Sequence, residues 1–82
     1  MKIYKYQLEI TDSQTLALPR GFKILSIQLQ NRKLCLWASV PESTYTDDIT
    51  FLIAGTGHET PEGEYIDTVQ LDEFVFHVFY KE

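Results

Sequence analysis

Apolar and polar residues alternate along most of the chain with the two-residue period of β-strands. Residues 3–10 have one apolar and one polar face, as in a half-buried strand. The same alternation predicts strands over 22–30, 34–40, 49–54, 65–71 and 74–80, and a short edge strand around Leu16 and Leu18. No helical periodicity extends beyond one turn. The pattern predicts a mainly β chain with little or no helix, in which six or seven short antiparallel strands form a small sheet or barrel.

Turn-forming residues divide these segments. Asn31-Arg32 stands between two alternating segments and predicts a tight two-residue hairpin. Residues 41–48 are polar and predict a loop, and Asp72-Glu73 predicts the turn before the last strand. Because no linker or low-complexity segment interrupts the chain, we expect a single domain over residues 1–82.

The last segment, 74–80, is apolar on both faces. Such a strand is typical of positions covered on both sides, which favours a barrel or a sheet buried in a dimer. The middle segment, 34–40, places Leu34, Leu36 and Ala38 on one face and Cys35 and Trp37 on the other. If the leucines face the core, Trp37 and Cys35 face outward, and an outward Trp indicates a subunit interface or a stacking platform for a planar ligand.

Composition limits the classes of function. The chain has 82 residues, of which 44% are hydrophobic, so it folds rather than remaining disordered, and its net charge of −5 argues against direct binding of nucleic acid. The single cysteine cannot form an intramolecular disulfide, which favours a reducing compartment. No apolar segment approaches the roughly 20 residues that span a bilayer, so we expect no membrane association. A domain this small gains stability by association, and a homo-oligomer is expected.

Two of the four glycines surround a threonine at the end of a predicted strand, in Gly55-Thr56-Gly57-His58. Successive backbone N–H groups in such a turn can form an anion-binding nest, to which the Thr56 hydroxyl and the His58 imidazole add donors. The glycine motifs that bind nucleotides need a following helix, which the proline and acidic residues after this turn do not supply. The alternative interpretation is a plain strand end.

No other group of residues indicates chemistry more specific than this turn. Cys35 lies in an apolar strand where thiols are usually inert, and the histidines do not have the spacing of a metal site. His77, within an aromatic strand, is interpreted as a core or interface histidine with one hydrogen bond. Arg20 and Lys23 are interpreted either as solvated turn residues or as a source of positive charge for a phosphate. We therefore predict no enzymatic activity, no metal and no cofactor.

Several segments together resemble an uncharacterised family of small proteins from tailed phages and prophages. The resemblance covers nearly the whole chain and rests on residues 3–6, 18–19, 21, 23–25, 34–38, 55–58, 65–66, 68–70 and 77–79. This sequence departs from the family where relatives tend to have proline after the glycine-histidine turn, glycine in place of Asp67 and tryptophan in place of Phe76. The resemblance implies an accessory phage protein in the host bacterial cytoplasm, with no catalytic residues to transfer.

Three hypotheses about function follow. The first is a noncatalytic protein that sequesters a small nucleotide-type signal of host immunity, in an oligomer with pockets between subunits. Its predicted ligand-binding residues are Gly55, Thr56, Gly57, His58, Trp37, Arg20, Lys23 and His77. The second is an acidic protein–protein inhibitor or adaptor of a host defence protein. The third is a minor structural or packaging protein of the virion, for which the sequence offers no positive sign.

Overall fold

The computed structural model describes residues 1–82 and consists of seven β-strands. The strands are β1 (Lys2–Leu8), β2 (Ser13–Pro19), β3 (Lys23–Gln30), β4 (Lys33–Val40), β5 (Thr46–Gly55), β6 (Glu64–Leu71) and β7 (Phe74–Lys81). The prediction of a mainly β chain with six or seven strands is confirmed. The first strand ends at Leu8 rather than Ile10, which is 43% exposed. No helix in the structure has the length and apolar character required to cross a membrane.

Two antiparallel sheets lie face to face as a sandwich. One has the strand order β1-β4-β3 and the other β2-β5-β7-β6. The molecule measures 39 × 27 × 15 Å, and its thin dimension accommodates two sheets at the usual spacing of about 10 Å. The strands form two separate hydrogen-bonded sheets, so the fold is a sandwich rather than a closed barrel.

The core lies between the inner faces of the central strands. Leu34, Leu36 and Ala38 of β4 are buried as the alternation predicts, and Ile49 and Phe51 of β5 face them from the other sheet. Burying a side chain the size of Phe51 contributes about 1.5–3 kcal/mol to folding. Because both strands are central in their sheets, their apolar faces are covered by neighbours on each side.

Two expectations about outward-facing residues are corrected by the structure. Leu25 was expected to share the apolar face with Ile27, but a shift of register between Ile24 and Ser26 displaces it, and it is 45% exposed. Cys35 was expected to face outward with Trp37, yet it is only 3% exposed while Trp37 is half-buried. Since β4 is the central strand of its sheet, side chains of β1 and β3 flank it on both sides and shield the small thiol.

The turns of two hairpins are joined by an ion pair. The predicted Asn31-Arg32 turn is confirmed, with φ of 51° and 65°, as the mirror-image hairpin turn requires. Arg32 donates two hydrogen bonds, of 3.0 and 2.6 Å, to the carboxylate of Asp72 in the β6–β7 turn. This contact lowers the pKa of Asp72, mainly through the hydrogen bonds and secondly through the charge of Arg32. The pair is solvent-exposed at the ends of the two sheets.

The connection from β5 to β6 crosses the outer face of the four-stranded sheet. Both strands pair antiparallel with β7, so they run parallel to each other on either side of it. Residues 56–63 return across β7, where Thr56 contacts His77 and Gly63 approaches the carbonyl oxygen of Tyr80. We call this segment the crossover loop. One face of β7 is in the core and the other lies under the crossover loop. The loop therefore accounts for the apolar residues on both faces of this strand, and no second subunit is needed to cover them.

Candidate functional site

The glycine-containing segment forms a tight turn at the end of β5. The N–H of His58 donates to the carbonyl oxygen of Gly55 at 3.1 Å, which closes a four-residue turn. Gly57 occupies the third position with φ of 95°, a conformation that L side chains rarely adopt and that a type II turn requires there. Gly55 does not have a positive φ; it differs from Gly57 in lying against a side chain, because the His58 ring lies over its α-carbon. The turn thus directs His58 back onto the strand.

His77 lies at the centre of a chain of hydrogen bonds on the outer face of the sheet. Its Nε2 is 2.8 Å from the hydroxyl of Thr56, and its Nδ1 is 3.0 Å from the hydroxyl of Thr68. Tyr65 Oη extends the chain to the Thr68 hydroxyl at 2.6 Å. His77 was expected to make one hydrogen bond and makes two. With a neutral ring, one nitrogen donates and the other accepts, so the chain fixes the orientations of all three hydroxyl groups together.

A small cleft lies between this hydrogen-bond chain and the crossover loop. We call it the crossover cleft; its volume is about 240 Å³. It is lined by Ala54, residues 55–61, His77 and Phe79. The His58 ring also borders a second cavity of about 100 Å³, on the side of Ile10, Thr11 and Asp12. The cleft therefore combines imidazole and hydroxyl groups with the backbone of the glycine turn.

The turn does not offer all of the donors expected of an anion-binding nest. The N–H of Thr56 donates to the carbonyl oxygen of Val75 at 3.2 Å, and that of His58 is used within the turn. The Thr56 hydroxyl is engaged by His77. The N–H of Gly57 makes no hydrogen bond within the chain, so it and the His58 ring are the donors that remain. A ligand would thus meet two free donors and the hydroxyl–imidazole chain rather than a full nest.

Three other residues of the predicted site lie away from this cleft. Arg20 follows β2 and bonds to Asp47 at 3.1 Å, at the opposite end of β5. The nine residue steps from Thr46 to Gly55 correspond to about 30 Å of strand. Lys23 begins β3, and Trp37 lies on the outer face of the other sheet. Within one molecule, the structure brings together Gly55, Thr56, Gly57, His58 and His77, and leaves Arg20, Lys23 and Trp37 apart from them.

A second and larger depression lies between the unpaired edges of β3 and β6. This β3–β6 groove has a volume of about 510 Å³ and contains Phe22, Tyr80 and Lys23 among its lining residues. Four carboxylates also line it, namely Asp47, Glu64, Asp67 and Glu82. Tyr80 Oη donates to Glu64 at 2.9 Å, and this bond, with burial and the charges of Glu64 and Glu82, raises the pKa of Tyr80. The groove is acidic apart from Lys23.

Two features of these sites were not predicted from the sequence. Thr68 and Tyr65 were not connected with His77, although counting back from the predicted β6–β7 turn pairs Thr68 with His77. Tyr65 could not be placed in this way, because a register shift at Ile66 interrupts the pairing. The β3–β6 groove had no sequence signal, since its two sides belong to different sheets.

Comparison with known proteins identifies a family without assigning a function. No curated protein and no solved structure matched the chain. A family model described as a domain of unknown function, DUF7352, matches residues 1–82. Since that match extends over the entire length described above, the chain belongs to the family DUF7352.

Proposed function

We propose that this is a phage-encoded, noncatalytic accessory protein that binds a small nucleotide-type signalling molecule in the crossover cleft, within the host bacterial cytoplasm. Binding would withdraw the molecule from a host defence pathway. The observation that carries the proposal is the Thr56–His77–Thr68 hydrogen-bond chain beneath the cleft. Hydroxyl and imidazole groups that can either donate or accept suit ribose hydroxyls, which do both, and as donors they suit phosphate oxygens, which only accept.

The free donors at the cleft support an oxygen-rich ligand. The Gly57 N–H and the His58 ring lie on adjacent residues of one turn. A phosphate or ribose oxygen placed there would receive a backbone hydrogen bond in the manner of other glycine turns that bind anions. Because the chain has a net charge of −5, affinity depends on these short-range bonds and not on the overall field of the protein. We therefore expect binding to vary little with salt concentration.

The size of the cleft indicates how much of the ligand one molecule holds. Its volume of about 240 Å³ falls below the range of roughly 300–1,000 Å³ that is usual for complete small-ligand sites. One protomer would thus hold the sugar-phosphate part. In the oligomer that we propose, a base extending from the cleft would contact a second protomer, which could contribute Trp37 or Lys23 from its surface, or Arg20 after release from Asp47.

Isothermal titration calorimetry of the full chain against cyclic nucleotides and ADP-ribose derivatives tests the proposal. We expect saturable heat with at least one member of the panel. The Thr56→Ala, His58→Ala double variant should weaken that binding at least about tenfold, because each loss of a polar partner costs about 1 kcal/mol or more. Thr56→Ser retains the hydroxyl and should bind nearly as the unchanged protein does.

A matched control separates the cleft from general charge effects. Asp48→Lys with Glu62→Lys changes exposed residues outside the cleft and should leave binding within about twofold, since short-range hydrogen bonds dominate. Circular dichroism of every variant establishes that it is folded. Absence of heat across the whole panel would refute the proposal, as would unaltered affinity in a folded Thr56→Ala, His58→Ala variant.

The acidic β3–β6 groove favours a second candidate function, an inhibitor or adaptor that binds a basic surface of a host defence protein. Its carboxylates face a depression of about 510 Å³ between two strand edges. Glu64→Lys with Asp67→Lys should abolish recovery of a specific host protein in a pull-down, whereas Thr56→Ala with His58→Ala should leave that recovery intact. The reverse pattern would exclude this function.

A further inference from the structure

The strand β1 has an unpaired edge that is long and regular. It pairs with β4 without interruption from Lys2 opposite Val40 to Leu8 opposite Leu34, and no strand lies on its other side. Backbone N–H and C=O groups along that side point toward solvent. An edge of this kind readily accepts another strand unless the protein blocks it.

The other three edge strands contain features that hinder such pairing. The register of β3 shifts at Leu25 and that of β6 at Ile66, and these two edges face each other across the β3–β6 groove. The strand β2 ends at Pro19, and its exposed side chains, Ser13, Thr15 and Ala17, are small. In contrast, β1 has no bulge and no proline. Among the four edges it is the one without a bulge or a proline, and its protection is limited to the charges of Lys2 and Lys5.

Large apolar side chains are exposed on both faces of β1. Ile3, on the outer face, is 64% exposed, and Tyr4, on the face toward the core, is 49% exposed. Met1, just before the strand, is 74% exposed. A strand placed alongside would cover Ile3 and Tyr4 at once, because it would extend both faces of the sheet. Burial of this apolar surface and new backbone hydrogen bonds would act together.

The residues of β1 are compatible with a second copy of the same strand. In an antiparallel pair, residues that lie opposite each other have their side chains on the same face of the sheet. A two-fold axis between two copies of β1 must therefore place one residue opposite its own copy. An axis at Lys5 would set two lysines opposite each other, which is unfavourable. An axis at Tyr4 pairs the two Tyr4 side chains, Lys2 with Tyr6 and Ile3 with Lys5. That register has an aromatic pair at its centre and no opposed like charges. An axis at Tyr6 has these properties too, but it leaves the exposed Ile3 without an opposing residue of the strand.

We propose that β1 pairs antiparallel with β1 of a second copy of this chain, about a two-fold axis at Tyr4. The two three-stranded sheets then form one continuous six-stranded sheet, in the order β3-β4-β1-β1-β4-β3. Trp37 lies opposite Lys5 of its own chain, and Lys5 is opposite Ile3 of the second copy. Only β1 therefore separates the interface from the strand of Trp37, the single tryptophan of the chain.

Sedimentation equilibrium of the unliganded full chain, from about 1 μM to about 1 mM, measures this self-association. We expect a monomer–dimer equilibrium, with a change in Trp37 fluorescence over the same concentration range. Tyr4→Lys sets two like charges on the axis beside Lys5 and should weaken the dimer at least about tenfold. Leu25→Lys is the matched control, because Leu25 is similarly exposed, at 45%, on the opposite edge of the same sheet.

A charge-swap experiment tests the register itself. Tyr4→Lys and Tyr4→Glu should each be largely monomeric, while their equimolar mixture should form a heterodimer, since only the mixture has opposite charges on the axis. A wild-type chain that stays monomeric at the highest concentration would overturn the proposal. Dissociation by Leu25→Lys but not by Tyr4→Lys would also overturn it, as would a mixture no more associated than its components.

Discussion

Three glycines in and just before the crossover loop have different surroundings, and replacing them one at a time tests the path of the loop. A Cβ at Gly63 would lie 2.7 Å from the carbonyl oxygen of Tyr80, which is backbone of the central strand β7. At Gly57 a Cβ would meet no atom within 4 Å, but φ is 95°. At Gly55 the nearest atoms, at 3.4 Å, belong to the flexible His58 side chain. The three alanine substitutions therefore separate steric overlap, backbone strain and ordinary contact.

The expected magnitudes follow from these environments. Gly63→Ala forces either the loop or β7 to move and should cost about 3 kcal/mol, the upper end of the usual range for inserting an atom into occupied space. Gly57→Ala strains a left-handed residue by about 1–2 kcal/mol, offset in part by the reduced entropy of the unfolded chain. Gly55→Ala should change stability by less than about 0.5 kcal/mol, because alanine suits a strand better than glycine and the His58 ring can shift.

Urea unfolding followed by Trp37 fluorescence measures all three variants. A slope near 1 kcal/mol/M, at the lower end of values for small proteins, converts the cost of Gly63→Ala into a fall of about 3 M in the urea midpoint. Gly57→Ala should lower the midpoint by about 1 M and Gly55→Ala by less than about 0.5 M. A Gly63→Ala protein as stable as the unchanged chain would show that the loop does not pass over Tyr80 as described.

Two further predictions concern pH. Arg32 lowers the pKa of Asp72 below its ordinary 3.8, so the stabilisation by this pair is fully present above that value and is lost as pH falls through the lowered pKa. A double-mutant cycle with Arg32→Gln and Asp72→Asn should show coupling at neutral pH that vanishes in acid and in high salt. Coupling that persists in acid would contradict this expectation. The hydrogen bond to Glu64 raises the pKa of Tyr80 above 10.0, so the stability that it contributes is present below that pH and is lost as pH rises through the raised pKa. Spectrophotometric titration, with Tyr80→Phe as the difference control, should place its ionisation at lower pH in Glu64→Gln, and an unshifted titration would refute the assignment.

Part of the candidate site could be predicted from local sequence. Glycines around Thr56 at the end of an apolar alternation indicated the turn, and Gly57 does take the positive φ that glycine permits. The pairing of Thr68 with His77 was also within reach, because it follows from the position of the β6–β7 turn. The internal hydrogen bonds of the Thr56 and His58 N–H groups could not be predicted from the sequence, because one of the acceptors, Val75, lies on a strand about twenty residues away.

The sequence by itself determined where the strands lie and which faces of β4 and β5 are apolar, because a period of two in hydrophobicity depends only on neighbouring residues. It also determined the two hairpin turns, whose residues set their own dihedral angles. The tertiary structure decided the strand order, the register shifts at Leu25 and Ile66, the burial of Cys35 and the passage of the crossover loop over His77. These features depend on which strands become neighbours, a choice made by the packing of two whole sheets around one core rather than by any local pattern.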